Sequence, residues 1–251
     1  MTITIGGKKY VPGMYKGRSH IGINLTDAYF HELKNKMIQR EKEKGKTEFF
    51  PTICFSRKIG VGALEVADIL ARDIGYRVID REILTHISSE AKLHEKTVAI
   101  FDECYPGKMQ EFINYLFGEK SFIKSDFSRK LISCVLSLAS MEPTIFVGRG
   151  AHLIMPRDRL LSVLFICSDK HRIKRLARVL EVNEKDAAEK LEQIDKDQSE
   201  FYKNAFGKND VKSAYQFDLV INFDFLSDPN TAAKIVALAF REKFASELKN
   251  K

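Results

Sequence analysis

The sequence predicts an α/β fold: a doubly wound parallel sheet of about five strands with helices on both faces. Two observations predict it. From Pro51 onward, strand-like segments alternate with helix-like segments. The strand-like segments are short, nearly continuous runs of Val, Ile, Phe and Leu, which is typical of strands buried on both faces. Strands separated by helices imply right-handed crossovers within one sheet.

The predicted strands are residues 52–55, 76–79, 144–147, 161–167 and 217–222. The predicted helices fall between and after them, at residues 62–74, 81–89, 125–140, 170–180, 184–205 and 231–244. Folds of this class bind ligands beyond the carboxyl ends of the strands. The loops that follow the strands are therefore the candidate site.

Residues 1–50 differ from the rest of the chain and are predicted to form an N-terminal extension. The first part is rich in glycine and contains short β-like runs. We expect this arm to pack on the α/β domain or on a second copy of the chain, which would give a homo-oligomer. A regulatory or partner-binding arm is the alternative.

Composition narrows the choice of partners. The net charge of +7 suits an acidic ligand such as a nucleotide, but Lys and Arg are spread along the chain, which argues against a nucleic-acid partner. No apolar stretch approaches the roughly 20 residues that span a bilayer. The four cysteines are far apart and form no C-x-x-C pair, which favours reduced thiols and a cytoplasmic location. No metal site is predicted from the histidines or cysteines.

The first strand-like run leads into a loop containing Gly60 and Gly62, and a helical pattern follows. In such a device the loop N–H groups and the helix N-terminus converge on one point that favours an anion. The residues predicted to bind a nucleotide phosphate are Ser56, Arg57, Lys58, Gly60, Val61, Gly62, Ala63 and Leu64.

The loop departs from a Walker A sequence, which places Lys and then Ser or Thr after its last glycine. Here Ala63, Leu64 and Glu65 hold those positions. Arg57 and Lys58 could supply the missing positive charge from another direction, and we expect Arg57→Ala to abolish nucleotide binding. Mg²⁺ would be held by substrate phosphates and water, with Ser56 or Glu65 as a further candidate.

Charged residues also follow the second and third strands. Asp80 and Arg81 come directly after one, and Arg149 lies between two glycines after the other. A carboxylate and a guanidinium group at a strand end can hold a polar substrate, the arginine in bidentate fashion if it meets a phosphate. A structural salt bridge or a helix cap is the alternative for each. Together they predict a shared substrate pocket built from Asp80, Arg81 and Arg149.

Arg172 and Arg175 are three residues apart and share one face of a predicted helix. A basic pair over a phosphate pocket is what a closing lid for phosphoryl transfer needs. A solvated charged face is the alternative.

Together these segments resemble the cytidylate kinase-like family of P-loop proteins, relatives of the bacterial nucleoside monophosphate kinases. The resemblance rests on an ordered series across residues 51–245. Its pieces are FSRKIGVG at 55–62, VIDREIL at 78–84, FDE at 101–103, IFVGRGA at 145–151, RIKR at 172–175, DKD at 195–197, FY at 201–202 and FDLVIN at 217–222.

The resemblance implies a P-loop kinase-like domain over residues 51–251, with the ATP phosphates at residues 56–62. It also implies a monophosphate near Asp80, Arg81 and Arg149. A mobile lid around residues 172–204 would carry Arg172, Arg175 and Lys196 into catalysis beside Arg57 and Asp80. The chain departs from the family pattern at Gly150, where a carboxylate is expected, and at Gln198 and Glu200, where arginines are expected.

Two functions follow. The first is ATP-dependent phosphoryl transfer, with Mg²⁺, to a CMP-like nucleoside monophosphate or another small metabolite. The alternative is a catalytically silent nucleotide-binding or regulatory protein on the same fold, which Ala63, Leu64 and Glu200 favour.

Overall fold

The structure is a computed structural model that describes residues 3–11, 13–15, 31, 34–35, 38, 49–117, 125–207 and 213–248. The predicted N-terminal arm is therefore described chiefly by its first fifteen residues, and most of its second half lies outside the described ranges.

The core of the fold is a five-stranded sheet in which all strand pairs are parallel. Its strands, in spatial order, are β4 (Arg77–Asp80), β5 (Thr144–Val147), β3 (Thr52–Arg57), β6 (Leu160–Ile166) and β7 (Leu219–Asn222). Of these five strands, the central strand β3 comes first along the chain. The next two strands, β4 and β5, lie on one side of it, and the last two, β6 and β7, lie on the other. This confirms the predicted doubly wound parallel sheet, with strand ends within two residues of the sequence prediction.

Helices surround the sheet. They are α1 (Ala63–Ile74), α2 (Arg81–Ser89), α3 (Ala91–Cys104), α4 (Lys108–Phe117), α5 (Asp126–Met141), α6 (Ala151–Ile154), α7 (Asp169–Leu180), α8 (Glu184–Phe206), α9 (Pro229–Lys243) and α10 (Ala245–Leu248). Short 3₁₀ turns lie at Arg157–Arg159 and Ala214–Gln216. The sequence analysis did not predict α3 and α4, which lie between α2 and α5 with no strand separating them.

The side chains of β3 divide between the two faces of the sheet. Ile53 and Phe55 pack in a cluster with α1 and α9, whereas Cys54 packs in a second cluster with α2, α3 and α5. All six residues of β3 are buried. The result is a three-layer sandwich with a helical layer on each face, which is the arrangement a run of uninterrupted apolar residues requires.

The parallel register aligns the carboxyl ends of the strands. Asp80 of β4 pairs with Val147 of β5, and Arg57 of β3 pairs with Phe165 of β6. The segments that follow these strands, beginning at residues 58, 81, 148 and 167, therefore meet at one edge of the sheet.

The arm begins with an antiparallel hairpin, β1 (Ile3–Ile5) and β2 (Lys8–Tyr10). Ile5 and Tyr10 join a third apolar cluster that contains Ile59 of the loop after β3 and residues of α7 and α8. The hairpin thus packs against the same edge of the domain.

Candidate active site

The loop after β3 has the geometry of an anion site. Gly62 is the N-cap residue of α1 at φ 101°, and no side chain caps the helix. Glu65 N donates to Gly62 O at 3.0 Å, so the first turn of α1 closes directly onto the loop. The first N–H groups of a helix have no acceptor within the helix. In α1, the N–H groups that precede Glu65 can therefore bind an anion at the positive end of the helix dipole.

A cavity of about 350 Å³ lies over this loop. It is lined by Tyr10, Gly13, Met14, Arg57, Lys58, Ile59, Gly60, Val61, Gly62, Ala63, Leu64, Arg175, Leu176 and Val179. The structure therefore brings together, around one cavity, the residues predicted to bind the nucleotide phosphates. The exception is Ser56, which is buried within β3.

Arg57 is a buried cation whose guanidinium group has no acceptor among the described residues. The residue is 5% exposed, and its Nη1 and Nη2 approach Gly148 and Gly13 respectively. Within the described ranges, no carboxylate or other acceptor lies within hydrogen-bonding distance of its guanidinium group. Burial lowers the pKa of Arg57 from its ordinary value. A buried unpaired charge is costly, so this geometry favours a bound anion.

A second cavity, of about 340 Å³, lies on the other side of Arg57. Its lining is Arg57, Arg81, Arg149, Asp197, Gln198, Phe201 and Tyr202. Arg149 Nε donates to Thr85 Oγ1 at 3.0 Å, and its guanidinium carbon lies 4.5 Å from the centre of the Phe201 ring. Arg81 Nε is buried without a hydrogen-bond acceptor, and the nearest carboxylate oxygen, on Glu82, is 4.0 Å away.

Positive charge dominates this second cavity. Burial, followed by the charge of Arg81, lowers the pKa of Arg149 to about 10. The group therefore stays charged at neutral pH, although it is poorly solvated. Three guanidinium groups surround one cavity, and Asp197 is the one acidic residue among its described lining residues, so the cavity can hold an anion such as a phosphate.

The loop that carries Arg149 has little room. Gly148, Arg149 and Gly150 all have positive φ, at 91°, 53° and 71°. A Cβ atom on Gly148 would lie 3.2 Å from Arg57 Nη1, and one on Gly150 would overlap the Phe206 ring of α8. The two glycines therefore allow Arg57 and the end of α8 to approach this loop closely. A non-glycine residue in this conformation, here Arg149, is costly and typical of functional sites.

Asp80 acts as a helix cap. Its Oδ1 accepts hydrogen bonds from Glu82 N at 2.9 Å and Ile83 N at 3.1 Å, at the start of α2. Asp80 does not line either cavity. The cap fixes the first turn of α2 and with it Arg81, which does line the second cavity.

Arg172 and Arg175 of α7 have different surroundings. Arg172 is 1% exposed; its Nε donates to Ile59 O at 2.8 Å, and its other nitrogens bind Asp169 and Asp195. Burial opposes its charge, but the hydrogen bonds that it donates to Asp195 and Asp169 outweigh burial and raise its pKa. Arg172 lines neither cavity. Its hydrogen bonds connect α7, α8 and the loop at residues 58–62, which we call the phosphate loop after its predicted role.

Arg175 lies directly on the phosphate loop. A Cβ atom on Gly62 would be 2.9 Å from its Nε, and its Nη2 donates to Glu65 Oε2 at 2.7 Å. The guanidinium group therefore covers the N-terminus of α1 from above. Lys58, on the same loop, is paired with Asp195 at 3.0 Å and points toward α8 instead.

The C-terminal half of α8 closes the second cavity. Gln198 Nε2 donates to Arg57 O at 2.9 Å, and the buried Tyr202 interacts with Ser56 and with the Gly150 backbone. Burial raises the pKa of the Tyr202 phenol, and the nearby charge of Arg57 partly offsets this effect. Lys196 lies on the exposed side of α8, paired with Glu192 at 2.9 Å, and lines neither cavity.

Sequence reasoning missed the roles of Tyr10, Phe201 and Tyr202 as walls of the site. The spacing of Ile194, Gln198 and Phe201–Tyr202 along α8 was the available signal, because such spacing places these residues on one helical face. Tyr10 gave no signal, because its position over the loop depends on packing between segments about fifty residues apart in the chain.

These sites can be compared with known proteins. The sequence model of the cytidylate kinase-like family matches residues 52–224, more than half of the chain. The chain belongs to the cytidylate kinase-like family. The match begins at the first residue of β3 and ends just after β7, so the family region contains the whole parallel sheet. It also contains the lining of both cavities, except for Tyr10, Gly13 and Met14 in the first. The hairpin β1–β2 lies outside it.

One solved structure shows a similar fold, and a second aligns less well. An uncharacterised protein from Eubacterium ventriosum ATCC 27560 aligns with a TM-score of 0.58 at 20% identity, covering 78% of this chain and 99% of that one. A shikimate kinase from Bacteroides thetaiotaomicron aligns with a TM-score of 0.37 at 15% identity, covering 76% of this chain and 96% of that one. Comparison with curated proteins gives no match.

None of the helices in the described part of the chain is both long and apolar enough to cross a membrane. Nor do the described residues contain a group of three or more His, Cys, Asp and Glu side chains that could hold a metal ion.

Proposed function

We propose that the protein transfers a phosphoryl group from ATP to a phosphorylated acceptor, a CMP-like nucleoside monophosphate or another small metabolite. The observation that carries the proposal is the position of Arg57, whose unpaired guanidinium group lines both the cavity over the phosphate loop and the arginine-rich cavity beside it. A cation between a donor site and an acceptor site is placed to stabilise charge on a phosphoryl group that moves from one to the other.

On the donor side, the residues fit a polyphosphate. The uncapped start of α1 at Gly62 offers N–H groups, and Arg57 and Arg175 offer positive charge. Arg175 would exchange Glu65 for a phosphate oxygen, because both are anions and the guanidinium group already lies on the loop. We propose that these two arginines replace the lysine that Ala63 and Leu64 do not supply.

Mg²⁺ would be held mainly by the phosphates and water, with Glu65 as the nearest carboxylate of the loop. This mode suits magnesium, which keeps several water ligands and is usually bound through substrate phosphates. Bound there, it would neutralise charge on the polyphosphate.

On the acceptor side, Arg81 and Arg149 would bind the acceptor phosphate. Arg81 Nε has no acceptor, and Phe201 packs against the guanidinium group of Arg149. Asp80 would position Arg81 through the cap of α2. The reaction then needs positioning and charge stabilisation without a covalent intermediate. Closure of α8 over the cavity would exclude water, which fits the predicted lid.

The second candidate is a nucleotide-binding protein without transfer activity. The ion pair between Arg175 and Glu65 favours it, because this pair covers the phosphate loop and must open before a phosphate can bind. The buried network of Arg172 with Asp195 also favours it, because it opposes the lid movement expected of a kinase.

The test is a chromatographic assay of the purified protein with MgATP and a panel of nucleoside monophosphates that includes CMP and dCMP. We expect a nucleoside diphosphate product from at least one acceptor. The product should be lost in Arg149→Ala and retained in Arg241→Ala, a control in which the arginine is exposed and paired with Asp73. MgATP binding without any turnover would select the second candidate, and failure to bind any nucleotide would reject both.

A further inference from the structure

The N-terminal arm forms one wall of the phosphate cavity, although the family match begins only at residue 52. Tyr10, Gly13 and Met14 line that cavity opposite the loop residues. A Cβ atom on Gly13 would lie 3.5 Å from Arg57 Nη2 and 3.8 Å from Leu64 Cδ2. The arm therefore lies close enough to the loop for its side chains to reach a ligand bound there.

The arm is firmly attached at this position. Ile5 and Tyr10 are 2% and 5% exposed and pack with Ile59 of the loop and with α7 and α8. Tyr15 Oη donates to Asp68 Oδ2 of α1 at 2.9 Å. These contacts hold the arm to the loop, to the helix that follows it and to the α7–α8 pair.

The hydroxyl group of Tyr10 has an unused donor. Tyr10 Oη accepts a hydrogen bond from Gly13 N at 2.8 Å. Among the residues that the structure describes, none accepts a hydrogen bond from its O–H. A buried hydroxyl group normally donates as well as accepts, because an unused buried donor is costly. Tyr10, Arg57 and Arg175 line the same cavity, and the charges of the two arginines act on the phenol.

We propose that Tyr10 is a phosphate-binding residue: its O–H donates to an oxygen of the polyphosphate held by the loop, beside Arg57 and Arg175. The arm is then part of the binding site, and the family domain alone provides an incomplete one. The identity of the ligand as ATP rests on the proposed function, whereas the anion site itself rests on the geometry of these three side chains.

The test compares Tyr10→Phe with Tyr15→Phe in the full chain. Tyr10→Phe keeps the buried ring and removes only the hydroxyl group, and Tyr15→Phe removes a hydroxyl group of the same arm that does not line the cavity. Isothermal titration calorimetry measures the binding of MgATP and of inorganic tripolyphosphate. Loss of one hydrogen bond to a charged oxygen should weaken both ligands about 10- to 100-fold in Tyr10→Phe. Tyr15→Phe should bind both as the wild type does.

The outcomes separate this inference from the proposed function. A structural role of the hydroxyl group would lower the thermal unfolding midpoint of the Tyr10→Phe protein without changing the affinity of the folded protein. That result would overturn the inference, as would tighter binding, which would mark the arm as a barrier. Weaker tripolyphosphate binding in Tyr10→Phe, together with no phosphoryl transfer by the wild type, would support the inference and reject the kinase. If the wild type binds neither ligand, both proposals fail.

Discussion

The ring of Phe206, at the end of α8, lies directly against the Cα of Gly150 in the loop after β5, so that a Cβ atom there would overlap it. This contact joins the last turn of α8 to the loop that carries Arg149. Gly207, the next residue along the chain, also has positive φ, at 65°, but an added Cβ atom would have none of the described residues within 4 Å. The two glycines therefore separate the effect of packing from the effect of backbone strain.

We expect Gly150→Ala to be more destabilising than Gly207→Ala. Backbone strain alone should cost Gly207→Ala about 1 kcal/mol of the free energy of unfolding, because a left-handed conformation disfavours a side chain by roughly that amount. Gly150→Ala adds the clash with Phe206, so its cost should reach about 2–4 kcal/mol. Urea unfolding measures both. Equal losses in the two variants would show that α8 moves aside without cost.

Asp195 should be the residue on which the attachment of α8 to the phosphate loop depends. It binds Arg172 through two hydrogen bonds and also pairs with Lys58. Replacing it with Asn leaves Arg172 with Asp169 as its one carboxylate partner in the described residues. We expect a loss of about 2–3 kcal/mol of the free energy of unfolding, near the low end for a broken buried ion pair.

The control for Asp195→Asn is Glu192→Gln, in the same helix. Glu192 forms an exposed pair with Lys196, and exposed pairs contribute little to stability. Urea unfolding of this control should match the wild type. A comparable loss in both variants would place the effect in the helix as a whole and not in the buried network.

The same carboxylate predicts a pH dependence. Burial favours the neutral form of Asp195, but its hydrogen bonds with Arg172 and Lys58 outweigh burial and lower its pKa below the ordinary value of 3.8. A carboxyl group with a lowered pKa in the folded state stabilises the protein above its unfolded pKa. That contribution is lost as the pH falls through the folded value. Unfolding measured from about pH 5 to about pH 2 should show a steeper loss of stability in the wild type than in Asp195→Asn. Parallel curves would contradict the network.

The sequence predicted the sheet well because its three middle strands, β5, β3 and β6, are buried on both faces. The runs at residues 52–55 and 144–147 are apolar at almost every position, and no other element type in a soluble domain needs such a short continuous run. Helices α3 and α4 were not predicted. They follow α2 without an intervening strand, so the alternation of strands and helices on which the prediction rested did not indicate them.

The site was predicted only as far as it is built from residues that directly follow strands. Arg57, Arg81 and Arg149 line one cavity, because parallel register aligns the ends of the strands that they end or follow. Sequence spacing could not show that Arg172 is engaged in a buried network while Arg175 covers the loop. The two residues share a helical face, and the difference between them is set by where Asp195 of α8 packs.

Two buried arginines of the site region differ in their hydrogen-bond acceptors. Arg57 is 5% exposed and has no acceptor among the described residues, whereas Arg172 is 1% exposed and has three. Arg57→Ala removes an unpaired buried charge, so we expect the free energy of unfolding to stay unchanged or to rise by about 1 kcal/mol. Arg172→Ala leaves Asp195 with Lys58 as its one cationic partner among the described residues and should cost about 3 kcal/mol, the low end for a broken buried ion pair.

The two variants should also differ in ligand binding. We expect Arg57→Ala to be as stable as the wild type but to show no binding of MgATP or tripolyphosphate by calorimetry. The reason is that the guanidinium group of Arg57 would pair with the bound anion and not with a protein group of the described residues. A protein keeps a destabilising group where function requires it. If Arg57→Ala is strongly destabilised and the folded fraction binds tripolyphosphate normally, Arg57 has a structural role, and the charge that replaces the missing lysine must come from Arg175 alone.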